Sequence, residues 1–151
     1  MRTYLVVIDE TPEAEVALRF AARRALKTGG AVEILAIIPH QEFVAWGGVQ
    51  ATIEDEAREH AEDVVRRALD MLGEEGAIKP LINVKQGNAL TAIRETLNAN
   101  PDIAALVLGA SADGAPGPLV AHFAGAEPGT LPCPVMVIPG SLSRDALDRL
   151  S

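Results

Sequence analysis

Gly109, Gly114, Gly117, Gly125 and Gly129 follow one another in the stretch LGASADGAPGPLVAHFAGAEPGTLPCPV, between two runs that read as β-strands. Glycines at such spacing let a backbone approach a phosphate closely, and a helix opening behind them would turn N–H groups toward the anion. The same stretch holds Pro116, Pro118, Pro128, Pro132 and Pro134, which stiffen a connection whatever it binds. Two stricter motifs fail inside it. Gly109 and Gly114 imitate the opening of a P-loop, but Ala115 and Pro116 stand where Lys and Ser or Thr must reach phosphate and metal. The run Gly109-Ala110-Ser111-Ala112-Asp113 is one residue from a nucleophile elbow, yet Asp113 adds a side chain where the sharp turn needs glycine. A small-molecule hydrolase using Ser111 or His122 is therefore the least favoured reading.

Charge argues against a tight triphosphate site. Between Arg94 and Arg144 there is no Lys or Arg, while Asp102, Asp113 and Glu127 are acidic. A triphosphate there would depend on Mg²⁺ and main-chain N–H groups alone. Asp9 and Thr11, at the end of the first apolar run, can cap the following helix, where a carboxylate is favoured by the dipole. His40, His60 and His122 fall in a loop, on a long helix and in a short apolar segment, so spacing does not group them, and surface or packing roles are favoured. Cys133, the only cysteine, reads as a small packed hydrophobe between prolines rather than a reactive thiol.

The elements that must position these residues alternate. TYLVVID is a nearly continuous apolar run, as in a strand buried on both faces of a parallel sheet. Thr11 caps and Pro12 opens a helix whose alanines keep helical spacing until Gly29-Gly30. AVEILAII gives a second strand, and the connection after it carries Phe43, Val44, Trp46 and Val49, a candidate flap or contact surface. Thr52 with Asp55 resembles a capping box opening a long helix to Gly73; residues 78–84 suggest a third strand; Asn88 caps a short helix; residues 103–108 and 134–138 complete five strands. Strands alternating with helices indicate βαβ units with helices on both faces. Residues 141–151 read as a C-terminal tail of one or two frayed helical turns.

Composition fits one domain. The chain has 151 residues, of which 48% are hydrophobic, and a formal net charge of −8. That charge opposes attraction to nucleic acid or anionic lipid. The longest apolar runs fall short of the ~18 to 20 residues of a membrane span. No zinc-like Cys/His spacing occurs, and Asp9-Glu10 directly follow the first strand, unlike a secretory signal, so a reducing cytoplasm is expected.

The pieces YLVVIDET, VEILAII, KQGNALTAI, ALVLGAS and PCPVMVIPG, in this order and at this spacing, resemble the universal stress protein family over nearly the whole chain. The resemblance implies a single Rossmann-like, adenine nucleotide alpha hydrolase-like domain over residues 1–140, doubly wound about a five-stranded parallel sheet of order 3-2-1-4-5. In ATP-binding members an aspartate after the first strand meets the nucleotide, and Asp9 occupies that position. By the same resemblance Ile8, Thr11 and Ile37 or Ile38 would flank the adenine, and Leu108 and Gly109 would close the far side. This agrees with ligands binding beyond strand C-termini where the strand order reverses.

The family loop reads G-x2-G-x9-G followed by Ser or Thr, and this chain departs from it. Ala112 replaces the second glycine; Gly109, Gly114 and Gly125 give x4 and x10, and Gly114, Gly117 and Gly129 give x2 and x11. After Gly125 the seven residues before Cys133 are too few, and too rich in Gly and Pro, for a full α-helix. The expectation is a stress-response binding or regulatory protein, not an enzyme, that requires no cofactor and has weak or lost ATP binding. The alternative is a functional ATP or AMP site, with Mg²⁺, on Asp9, Gly109, Gly114, Gly117 and Gly125. The last strand, Pro134, Val135, Met136, Val137 and Ile138, is an edge that invites a homodimer unless the tail covers it. An unidentified protein partner is expected; nucleic acid and membrane are not.

Overall fold

The computed structural model of the chain describes residues 2–39 and 48–151. His40 and the proposed flap residues Phe43, Val44 and Trp46 lie outside them. Every residue of β1 (Thr3–Ile8) is buried, as its uninterrupted apolar run requires. α1 (Pro12–Thr28) opens with Pro12 in its first turn and closes on Gly29, whose φ of 69° is the left-handed conformation that ends helices. β2 (Ala31–Ile38), α2 (Gly48–Glu75), β3 (Leu81–Gln86), α3 (Ala89–Ala99), β4 (Ile103–Ala110) and β5 (Val135–Pro139) follow. The strands are parallel in the order β3-β2-β1-β4-β5, as the resemblance implied. The order reverses between β1 and β4, so the C-terminal ends of those two strands face the crevice where such sheets bind ligands.

Several boundaries move from expectation for identifiable reasons. α2 extends back to Gly48, which puts Thr52 and Asp55 inside the helix rather than at its cap. β3 starts only after Pro80, which lacks an N–H for the ladder; Leu81 is the first residue to pair, opposite Glu33. β4 runs on through Gly109 and Ala110 because these pair with Ile138 and Pro139 of β5. The glycine-rich connection contains helical structure that its spacing did not announce: α4 (Pro118–Val120) widens into a π-type turn over Ala121–Ala126, where the Glu127 N–H reaches the His122 carbonyl at 2.9 Å.

Two cores flank the sheet. One joins β1, β2 and β4 to α1 and α2 through Val6, Ile34, Val107, Leu18, Ala21 and Leu72; the other joins them to α3 and to the π-type turn through Leu5, Leu35, Leu106, Ile93 and Phe123. The tail is an ordered helix, α5 (Arg144–Leu150), with Leu147 1% exposed in the first core. Cations of α1 hold it by its carbonyl oxygens: Arg23 donates to Arg144 O at 2.8 Å, Lys27 to Asp148 O at 2.5 Å and Arg24 to Ser151 O at 3.4 Å.

α1 and α2 are joined at their edge by ion pairs. The buried Arg19 guanidinium meets Glu75 at 2.7 Å and Glu74 at 3.2 Å, and Arg23 meets the other Glu75 oxygen at 2.8 Å. Burial alone would raise the Glu75 pKa; hydrogen bonds from Arg23 and Arg19 outweigh it and hold the carboxyl below its ordinary 4.5. A depressed carboxyl stabilises the fold above its unfolded-state pKa, and the contribution fades as pH falls through the folded-state value. Glu75→Gln is expected to cost about 2–3 kcal/mol near neutral pH, below the ~3–5 of a fully buried pair. Urea unfolding should show this penalty shrinking below about pH 4.5.

Candidate functional site

Asp9 is the first residue beyond β1 and is exposed. Its Oδ1 accepts the Thr11 N–H at 2.8 Å and also the Thr11 hydroxyl. Thr11 Oγ1 accepts the Ala14 N–H at 3.3 Å, so it is the N-cap of α1 and Asp9 fixes its rotamer. The capping role is thus present, while the carboxylate still faces the crevice.

Asp9 stands between two clefts of unequal size. The larger, about 590 Å³, opens toward α2. Ile8, Ala36, Ile37, Ala61 and Val64 supply apolar wall, and Asp9, Glu10, Glu56 and His60 a polar rim. His60 Nε2 lies 2.6 Å from Glu10 Oε1, which ties α2 to the end of β1 across the rim. The smaller, about 90 Å³, lies toward β4 and is bordered by Asp9, Thr11, Glu13, Leu108, Gly109 and the 116–120 segment. Neither cleft is lined by a described Lys or Arg. Arg67 borders an adjoining hollow of about 100 Å³ between α1 and α2, which shares Ile8, Asp9, Glu10, Thr11 and Val64 with the larger cleft.

The predicted residues divide accordingly. Ile8, Asp9, Thr11 and Ile37 line the larger cleft, and Leu108, Gly109 and Gly117 the smaller. Ile38 lines neither and is buried; strand alternation sends it away from Ile37. Gly114 and Gly125 line neither cleft. The glycines also have separate causes. A Cβ at Gly109 would lie 2.0 Å from the Glu13 carbonyl oxygen, so this position is reserved by the first turn of α1 packing onto β4. Gly114 and Gly117 adopt φ of 72° and 107°, which only glycine tolerates well. Gly125 meets neither condition.

The connection is latched to α3. Glu127 Oε2 receives Arg94 Nη2 at 2.8 Å and lies 3.2 Å from His122 Nε2. The last cation before the connection in sequence is therefore already paired. Burial pushes the Cys133 thiol pKa up, against a smaller lowering by the Leu106 N–H, in keeping with a packing role. Among the described residues no group of His, Cys, Asp or Glu could hold a metal ion, and no helix is long and apolar enough to cross a membrane. Sequence reasoning missed Glu10, Glu56 and His60. Glu10 adjoins the Asp9 signal, but its partner lies on a different element and no spacing rule joins them.

The model of the universal stress protein family matches residues 1–139. Among solved structures, the chain is similar to universal stress protein UspA from Lactobacillus plantarum, with 20% identity over 91% of this chain and 97% of that one and a TM-score of 0.74. It is also similar to a universal stress protein from Archaeoglobus fulgidus in complex with dAMP, with 21% identity, coverage of 91% and 98%, and a TM-score of 0.63. A universal stress protein family protein from Arabidopsis thaliana with AMP bound matches at 15% identity, coverage of 96% and 94%, and a TM-score of 0.58. No curated protein matches. At these identities the solved structures establish the fold.

The Gly109 contact is open to a direct check. Gly109→Ala should destabilise by about 2–4 kcal/mol in urea unfolding, because backbone rather than a flexible side chain must move. Gly125→Ala should change stability by less than about 1 kcal/mol. Unchanged stability in Gly109→Ala would mean that α1 does not reserve this glycine.

Proposed function

The chain belongs to the universal stress protein family, and on that premise we propose that it is a non-catalytic, cytoplasmic stress-response binding protein whose larger cleft takes an adenine nucleoside or monophosphate and holds ATP weakly. The observation that carries this reading is the asymmetry about Asp9. On one side lie about 590 Å³ with apolar walls, within the ~300–1,000 Å³ of small-molecule sites. On the other lie about 90 Å³ bordered by Asp9 and Glu13 and by no described cation. An adenine ring fits the first environment, with Ile8 and Ile37 at its faces and Asp9 placed to accept from a ribose hydroxyl. A triphosphate does not fit the second: two carboxylates would repel it, and the Arg94 guanidinium is taken by Glu127. That dAMP and AMP are bound by the Archaeoglobus and Arabidopsis proteins supports a monophosphate-sized ligand.

Assembly is part of the proposal. The outer edge of β5 has no strand partner among the described residues, and Val137 on it is 39% exposed. α5 packs against α1, which leaves that edge for a second copy.

Isothermal titration should give AMP at least tenfold tighter binding than ATP, and Asp9→Ala should weaken AMP by about tenfold, the loss of one charge-assisted hydrogen bond. Tighter ATP binding, or co-purified ATP at near-stoichiometric yield, would overturn the weak-triphosphate reading. For assembly, Val137→Lys should convert a dimer to monomer in analytical ultracentrifugation, whereas Ile82→Lys on β3 should not.

A further inference from the structure

A second cleft, of about 210 Å³, lies at the opposite end of the sheet from Asp9. Arg2, Tyr4 and Arg24 supply its polar wall, and Ala104, Ala105, Pro134 and Met136 its apolar floor. Arg2 precedes β1, Arg24 is on the last turns of α1, and Pro134 leads into β5. Three elements therefore converge there near the N-terminal ends of the strands.

The charge arrangement is unusual for this chain. It carries 21 acidic against 13 basic side chains, yet two guanidiniums border one small hollow. Among the described residues neither Arg2 nor Arg24 has a carboxylate side chain within ion-pair distance. Arg24 reaches the Ser151 main-chain oxygen at 3.4 Å with one N–H and has other donors in its fork. Between them lies Tyr4, 2% exposed, with its hydroxyl 3.2 Å from Thr28 Oγ1. Burial alone would raise the phenol pKa; the Thr28 and Arg2 hydrogen bonds and the charges of Arg24 and Arg2 outweigh it and bring it below its ordinary value. Both arginines thus bear on one hydroxyl.

We propose that the Arg2–Tyr4–Arg24 cleft binds a small organic anion, an oxyanion head carried on a short apolar group. Guanidiniums present paired N–H donors that match the two oxygens of a carboxylate or the face of a phosphate, and the phenol adds a third polar contact. The volume is below the ~300–1,000 Å³ usual for small-molecule sites, so the ligand is smaller than the one proposed at Asp9. Ala104, Ala105 and Met136 give its apolar part a place to lie, which separates an organic anion from a bare one. The site is independent of the nucleotide reading, since no lining residue is shared.

Sodium butyrate and inorganic phosphate, titrated at constant ionic strength into the ¹⁵N-labelled full chain, test the assignment by amide shifts. Butyrate should shift Tyr4, Arg24, Ala104, Ala105 and Met136 saturably, leave Ile8 and Asp9 unmoved, and lose at least fivefold in affinity in both Arg2→Gln and Arg24→Gln. Arg2 is exposed, so Arg2→Gln keeps the test valid if Arg24→Gln perturbs folding. Shifts that do not saturate, that persist unchanged in the variants, or that phosphate produces as strongly as butyrate would overturn the proposal.

Discussion

The contact between the first turn of α1 and the end of β4 sets the rest of the site. Gly109 lets the Glu13 main chain approach closer than any side chain would permit, and Gly140 lies under a related constraint beside Ala110 O and Glu13 Cβ. With α1 drawn down at that point, Thr11 falls where it can cap the helix and Asp9 where it can hold Thr11. The crevice between β1 and β4 is narrowed by the same approach. A single backbone contact thus limits the space beside Asp9, so the shape of the smaller cleft follows from how the helix meets the sheet.

Charge is distributed to suit that geometry. Cations of α1 are engaged by the helices beside it: Arg19 and Arg23 by the acidic end of α2, and Arg23 and Lys27 by the carbonyls of α5. Arg94 is spent on Glu127. The two clefts beside Asp9 are left with carboxylates and one histidine, and Arg67 borders the hollow that adjoins them. Under the proposed function, this charge pattern is what makes one fold treat a monophosphate and a triphosphate differently.

The sheet was legible because β1, β2 and β4 are buried on both faces and write that burial as nearly continuous apolar runs, interrupted in β2 by the buried Glu33. Caps were legible at Thr11 and Asn88, where a side-chain acceptor stands directly before the helix. The glycine-rich connection was not. Seeking a helix after Gly125 overlooked that Gly117-Pro118 could start one earlier, and no periodicity rule describes a turn that widens to five-residue spacing. β3 was placed three residues early because Ile78 is apolar, although Pro80 bars the ladder there. Choosing between Ile37 and Ile38 needed the absolute facing of β2, which alternation alone does not supply. The Glu10–His60 pair joins residues 50 positions apart and could emerge only from packing.

The wide turn at Ala121–Ala126 has a consequence for how this connection can change over generations. A π-type turn holds one residue more than the α-helical path between the same ends. Loss of one residue there would let the segment return to ordinary helical spacing with its two ends in place, so Glu127 would stay beside Arg94. The segment is therefore a place where the chain can lose a residue and keep the latch to α3.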